Sequence, residues 1–81
     1  MRRIAEIPVA AISMDRIPLD SKVIMFAMAL INGARFPPIR VARRESGGFE
    51  IRDGRHRWVA YRMTHRGKIP ARFSDEPLRR I

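Results

Sequence analysis

The chain has 81 residues, 46% of them hydrophobic, and its 17 Lys and Arg against 8 Asp and Glu give a formal net charge of +9. This length predicts one domain over residues 1–81 with a thin core, and the apolar content argues against disorder. The lack of cysteine excludes disulfides, thiolate zinc sites and thiol chemistry, and the excess of arginine favours polyanionic partners.

The first predicted element is a short edge strand. An apolar series runs from Ile4 to Ile12 with Pro8 inside it, which is typical of an edge strand that leads into a turn. Two arginines precede this series, but Glu6 and Pro8 interrupt any signal-peptide core. Secretion is therefore not expected, and the cytoplasm is the predicted compartment.

The second predicted element is an apolar helix. Asp20 or Ser21 can cap it, residues 23–31 are rich in helix formers, and Asn32-Gly33 supplies the stop. The run is far too short to span a bilayer, so no membrane partner is expected. Because the helix is apolar almost all the way round, it must be buried on two sides or cover a partner, such as a second copy of the chain. Its methionines are interpreted as packing residues: Met25 and Met28.

A β-hairpin follows the first helix. Residues 39–42 alternate in polarity as a strand does, and residues 49–52 return as the antiparallel partner across a loop at 43–48.

A second helix and a last strand complete the pattern. Asp53-Gly54 is the turn into a helix that is predicted to run to about His65, with Gly67 ending it. Residues 69–73 are predicted to form a final strand and residues 74–81 a charged tail. This order of elements predicts a small α+β domain with a mixed, curved sheet and two helices.

The first turn of the second helix carries three basic residues: Arg55, His56 and Arg57. The unpaired N–H groups and the dipole of a helix start are already positive, so each full positive charge there costs roughly 0.3–1 kcal/mol unless an anion lies nearby. A phosphate would resolve the conflict, because backbone donors, guanidinium groups and an imidazole would converge on one oxyanion. The sequence therefore predicts a phosphate site at residues 54–57.

Two blocks of sequence resemble the sulfiredoxin and ParB N-terminal superfamily. They are Pro37-Pro38-Ile39-Arg40-Val41, and Gly54-Arg55-His56-Arg57-Trp58-Val59-Ala60-Tyr61 followed by Ile69-Pro70-Ala71-Arg72. Sulfiredoxins have Gly-Cys-His-Arg and then Ile-Pro-Ala-Lys at these places, and ParB partition proteins have Gly-Glu-Arg-Arg-x-Arg-Ala. The resemblance spans about residues 4–75 and implies a ParB/sulfiredoxin-like fold.

The resemblance also implies a nucleotide-phosphate pocket over the start of the second helix, with a nucleoside triphosphate, ATP or CTP, and Mg²⁺ as cofactors. In it Gly54 would allow close backbone approach, His56 and Arg57 would bind phosphates, and Lys22 matches a phosphate-contacting lysine of sulfiredoxins. Arg55 stands at the position of the sulfiredoxin catalytic cysteine, so sulfinic acid reduction is excluded. The resemblance further implies action on DNA, of the partition type or as a plasmid or phage accessory protein.

The DNA-recognition helices of full-length partition proteins are not in this sequence, so DNA binding is expected to be electrostatic and independent of base sequence. Arginines cluster around the hairpin and are predicted to form a nucleic-acid face: Arg40, Arg43, Arg44 and Arg52. Trp58 and Tyr61 lie one turn apart and are interpreted as core residues rather than base-stacking residues.

Two carboxylates leave an enzymatic alternative open. Asp53 could hold Mg²⁺ or act as a base, and Glu50 lies close before it, so a metal-dependent nuclease or nucleotide hydrolase with catalytic Asp53 and Glu50 is one alternative. Asp before Gly is also a usual capping residue, and a helix cap is the favoured interpretation of Asp53. The other alternative is a non-enzymatic module that dimerises through the apolar first helix.

Overall fold

The structure, a computed structural model, describes residues 4–14 and 16–74. Over these residues the chain forms five strands, two α-helices and one 3₁₀ turn. In chain order they are β1 (Ala5–Pro8), the 3₁₀ turn (Val9–Ala11), β2 (Ile12–Ser13), α1 (Ser21–Ile31), β3 (Ile39–Arg43), β4 (Phe49–Asp53), α2 (Arg55–Met63) and β5 (Lys68–Phe73). From residue 75 onward, the predicted charged tail lies outside the described residues.

The strands form one mixed sheet of order β1-β5-β3-β4-β2, strongly curled into a half-barrel. The predicted α+β class with a curved mixed sheet and two helices is confirmed. The hairpin of β3 and β4 is antiparallel as predicted, with Val41 opposite Ile51. β5 enters between β1 and β3, antiparallel to the first and parallel to the second.

The curvature of the sheet follows from how the chain begins. β1 lies at one edge of the sheet and β2 at the other, yet only the three-residue 3₁₀ turn separates them. A 3₁₀ turn advances about 2 Å per residue, so the two edges must approach each other closely. The predicted edge strand that leads into a turn is confirmed as β1, but Pro8 ends the strand instead of lying inside it. β2, which pairs parallel with β4, was not predicted.

The main core takes buried residues from all five strands and from both helices. Trp58 is 3% exposed, and its Nε1 donates a hydrogen bond of 3.1 Å to the Val9 carbonyl. This bond fixes the 3₁₀ turn to α2 and satisfies a buried indole N–H. Tyr61 packs half-buried against the same core, so the interpretation of both aromatics as core residues is confirmed.

Both helices end in the same backbone motif. After α1, Gly33 N–H and Ala34 N–H bond to the carbonyls of Leu30 and Ala29, the paired bonds of a Schellman motif. After α2 the same motif places His65 at a φ of 60°. The predicted stop at Gly67 is therefore wrong, because a left-handed histidine ends the helix earlier, after Met63.

One expectation for α1 is wrong. Met25 and Met28 do not pack within the domain: they are 67% and 59% exposed. The helix buries one side only, through Val23, Ala27 and Leu30. The second buried side that its composition demanded is not provided by the described part of this chain.

Candidate functional site

The N-terminus of α2 has no side-chain cap. Its N-cap residue is Gly54, at a left-handed φ of 107°, and no acidic residue occupies the first turn. The interpretation of Asp53 as the cap is wrong, because that carboxylate bonds to a side chain instead of to the backbone. In contrast, the Asp20 carboxylate caps α1 by accepting from the backbone N–H groups of Lys22 and Val23. Of the two helix starts, α2 leaves its N–H donors without a side-chain acceptor.

Gly54 is required by space as well as by conformation. A Cβ at this position would lie 2.6 Å from Cγ2 of Ile39 and 3.0 Å from a guanidinium nitrogen of Arg57. The turn therefore brings the α2 backbone directly against β3, where no other residue fits without movement.

Arg57 is anchored to the protein itself. Its Nη1 donates to the carbonyls of Pro37 at 2.8 Å and Pro38 at 3.1 Å, and its Nη2 lies 3.2 Å from Oδ2 of Asp53. The side chain is only 16% exposed. These bonds tie α2 to the extended segment before β3, so Arg57 shapes the site wall as well as contributing charge.

His56 joins the two helix starts. Its Nε2 lies 3.1 Å from Oδ2 of Asp20, the residue that caps α1. This hydrogen bond lowers the pKa of the Asp20 carboxyl below its ordinary value, with help from the two capping N–H groups. The first turns of α1 and α2 are thereby held side by side.

A cleft of about 620 Å³ opens over these two helix starts. Its basic residues come from α1, β4 and α2, and Asp53 is the one carboxylate among the lining residues. The basic lining residues are Lys22, Arg52, Arg55, His56 and Arg57. The cleft thus brings together all five residues predicted to bind phosphate, including Gly54, together with Arg52 from the predicted nucleic-acid face.

One wall of the cleft, beside Arg57 and His56, is apolar. It is lined by Phe26, Phe36, Pro37 and Pro38, with the two phenylalanine rings packed edge to face at a centroid distance of 4.9 Å. No role in the site was predicted for Phe26 or Phe36. The signal was present for Phe26, which lies one turn after Lys22 on the same helix face.

The two candidate catalytic carboxylates are separated. Asp53 lines the large cleft, whereas Glu50 lines a smaller one with Ser13 and Arg44 and lies 3.4 Å from Arg52. Within residues 4–14 and 16–74 there is no group of three or more His, Cys, Asp or Glu side chains that could hold a metal ion.

The predicted nucleic-acid arginines lie on and beside β3 and β4. Arg40 is exposed and stands directly beside Arg72 of the neighbouring strand β5. On its other side Arg40 is paired in register with Asp53 of β4, so a carboxylate flanks this pair of like charges. Arg43 stacks over the Phe73 ring at 4.0 Å, and Arg44 belongs to the hairpin loop. Arg72 had no predicted role, although its place in the strand follows from the Ile69-Pro70-Ala71-Arg72 block.

Neither helix described in the structure is long and apolar enough to cross a membrane.

The sequence matches no protein-family model and no curated protein. Among solved structures, the fold is similar to sulfiredoxin from Arabidopsis thaliana, with a TM-score of 0.76 and 20% identity over 91% of this chain and 86% of that one. The chain has the ParB/sulfiredoxin-like fold. This ParB/sulfiredoxin-like domain is also similar to a conserved hypothetical protein from Pyrococcus furiosus, with a TM-score of 0.75 and 17% identity over 91% of the domain. The domain covers 32% of that protein's length. At these identities the likeness concerns the fold.

Proposed function

We propose that this domain binds a nucleoside triphosphate in the cleft over the start of α2 and acts on DNA. The observation that carries the proposal is the uncapped, acid-free first turn of α2 opening into a cleft rich in cations. The N–H groups of a helix start and nearby guanidinium groups form a site for phosphate oxygens. A cleft of about 620 Å³ also has the size of a small-molecule site.

Within the cleft, the polar and apolar walls suit different parts of a nucleotide. Lys22 from α1 and Arg55 from α2 would contact the phosphates, and the backbone at Gly54 would approach them closely. The Phe26 and Phe36 wall would cover the base or ribose, since aromatic faces pack well against both. The contacts of that wall with the base would decide whether ATP or CTP binds more tightly.

Mg²⁺ would accompany the phosphates, and Asp53 is the carboxylate of the cleft lining that could bind it. Oδ2 of Asp53 already lies 3.2 Å from Nη2 of Arg57, so Mg²⁺ would share that carboxylate with a cation. Glu50 lies in a different cleft, so the arrangement supports nucleotide binding better than a two-carboxylate nuclease.

DNA binding is proposed to be electrostatic. Arg40 and Arg72 on adjacent strands, with Arg52 of the cleft lining, would neutralise backbone phosphates. Such a function belongs to the cytoplasm, where nucleotides and DNA are found.

The test is calorimetric titration of ATP, CTP and GTP, with and without Mg²⁺. The two lysines of the chain provide a matched pair, since Lys22 lines the cleft and Lys68 lies exposed on β5. Lys22→Ala should weaken nucleotide binding by about tenfold or more, the range for a charge-assisted contact, and Lys68→Ala should leave it unchanged. Equal affinity in both variants, or no binding of any nucleotide, overturns the proposal.

A further inference from the structure

The surface of α1 divides into three faces. Val23, Ala27 and Leu30 are buried in the core, and Lys22 and Phe26 line the cleft. The third face is exposed and almost wholly apolar. It carries Ile24, Met25, Met28 and Ile31, which are 55%, 67%, 59% and 69% exposed.

This apolar face is continuous and free of charge. At 3.6 residues per turn, its four apolar residues together with Ser21 and Asn32 fall within an arc of about 120°. The single ionisable residue of α1 is Lys22, which lies on the cleft side.

The face is large enough to be an interface. Its four exposed apolar side chains present on the order of 500 Å² in total, as large as the largest apolar patch on a typical monomer. That is more than half of the roughly 800 Å² that each partner contributes to a standard interface. Neither the nucleotide cleft nor the basic strands account for this surface.

We propose that this face docks against the same face of a second copy of the chain, with the two α1 helices antiparallel. A chain with a net charge of +9 repels its own copies, and the uncharged α1 face lets two copies meet without opposing their cations. A two-fold axis across α1 makes the interface self-complementary, and the antiparallel arrangement sets each helix N-terminus near the other's C-terminus, as their dipoles favour.

The geometry makes two consequences testable. About 1,000 Å² buried in total is at the low end for specific association, so the dimer is expected to be weak and concentration-dependent. Lys22 and Phe26 remain free because they lie on another face of α1, so the nucleotide cleft stays open in the dimer. Dimerisation can therefore be tested independently of nucleotide binding.

Sedimentation equilibrium over about a hundredfold range of concentration tests the proposal. The test variant is Ile24→Gln with Met28→Gln, which keeps the net charge and replaces apolar side chains with a good helix former. The matched control is Met63→Gln, because Met63 is an exposed methionine, 49% exposed, at the end of α2 and off the α1 face. Far-ultraviolet circular dichroism confirms that all three chains are folded.

The wild type and the Met63→Gln control should both pass from monomer to dimer as concentration rises. Because each substituted side chain occurs twice in a symmetric interface, the double variant should dissociate at least about 100-fold more readily. A wild type that stays monomeric throughout overturns the proposal, and its co-sedimentation with zwitterionic vesicles, lost in the double variant, would assign the face to a lipid surface instead. A dimer that the double variant leaves unchanged also overturns it.

Discussion

Nε2 of His56 lies 3.1 Å from Oδ2 of Asp20, so the residue that caps α1 is hydrogen-bonded to the first turn of α2. These residues are 36 positions apart in the chain. The contact fixes the relative position of the two helix starts that form the cleft, and it gives Asp20 a second role beside capping.

The lowered pKa of Asp20 makes stability depend on pH with a definite sign. A carboxyl whose pKa is lower in the folded state stabilises the fold above its ordinary value of 3.8, and the contribution is lost as pH falls through the folded pKa. Asp20→Asn keeps a capping oxygen but removes the charge. Urea unfolding should find the variant less stable than the wild type at about pH 6, with the difference in stability shrinking as the pH falls below 3.8 and through the folded-state pKa of Asp20. A difference that is constant with pH would show that the charge plays no part.

Gly54→Ala should destabilise the domain by about 2–4 kcal/mol, because alanine disfavours the positive φ and its Cβ would clash with Ile39. Gly33 is the matched control, because it also has a positive φ, of 90°, but a Cβ there meets nothing within 4 Å. Gly33→Ala should cost only about 1–2 kcal/mol, the conformational part alone. Chemical denaturation measures both, and equal losses would mean that the contact with Ile39 is easily relieved.

Arg57→Ala should destabilise the domain by about 1.5–3 kcal/mol, since it removes hydrogen bonds from a largely buried charged group to the Pro37 and Pro38 carbonyls. Arg55→Ala removes the same charge from the same helix turn but breaks no hydrogen bond within the described residues. Its stability should be unchanged or raised by up to about 0.5 kcal/mol, because one cation leaves a positive helix end. Thermal unfolding of the Arg57→Ala and Arg55→Ala variants compares their stabilities directly. Equal stability would contradict the anchoring role of Arg57.

Particular residues show how far the sequence could predict this fold. The alternation in β3 and β4 and the Asp53-Gly54 turn predicted the hairpin and the start of α2, because these are local patterns. The internal place of β5 was not predictable by the same rules, since Pro70 lacks an N–H and argues against a central strand. β2 is only two residues long and exists because the curled sheet brings it beside β4. His65 ends α2 in a conformation that the sequence pattern assigned to glycine.

Only the local features of the candidate site were predictable from the sequence. The basic first turn of α2 is a local feature, and so its residues could be chosen from sequence. The Asp20 and His56 pair, the bonds from Arg57 to the proline carbonyls and the Phe26 and Phe36 wall all join distant segments. Tertiary packing brings these segments together, and no spacing of residues in the sequence specifies that packing.

DNA binding should weaken steeply with salt. The net charge of +9 and the adjacent Arg40 and Arg72 predict a log–log slope of about −0.9 for each phosphate neutralised, for any DNA sequence. Fluorescence anisotropy with two unrelated duplexes measures the affinity at each salt concentration. Arg40→Ala should make the log–log slope less steep by about 0.9, the value for one phosphate contact. A flat salt response, or strong preference for one duplex, contradicts electrostatic binding.

The central claim is that phosphate oxygens bind at the uncapped start of α2, and nuclear magnetic resonance of the backbone amides tests it most directly. Inorganic triphosphate is added to the labelled domain while the amide signals of Gly54, Arg55, His56 and Arg57 are followed. We predict saturable shifts concentrated at these amides and at Lys22, lost in Arg55→Ala with Lys22→Ala, and small changes elsewhere. Shifts spread over arginines across the whole surface, with none at the α2 start, would contradict the account.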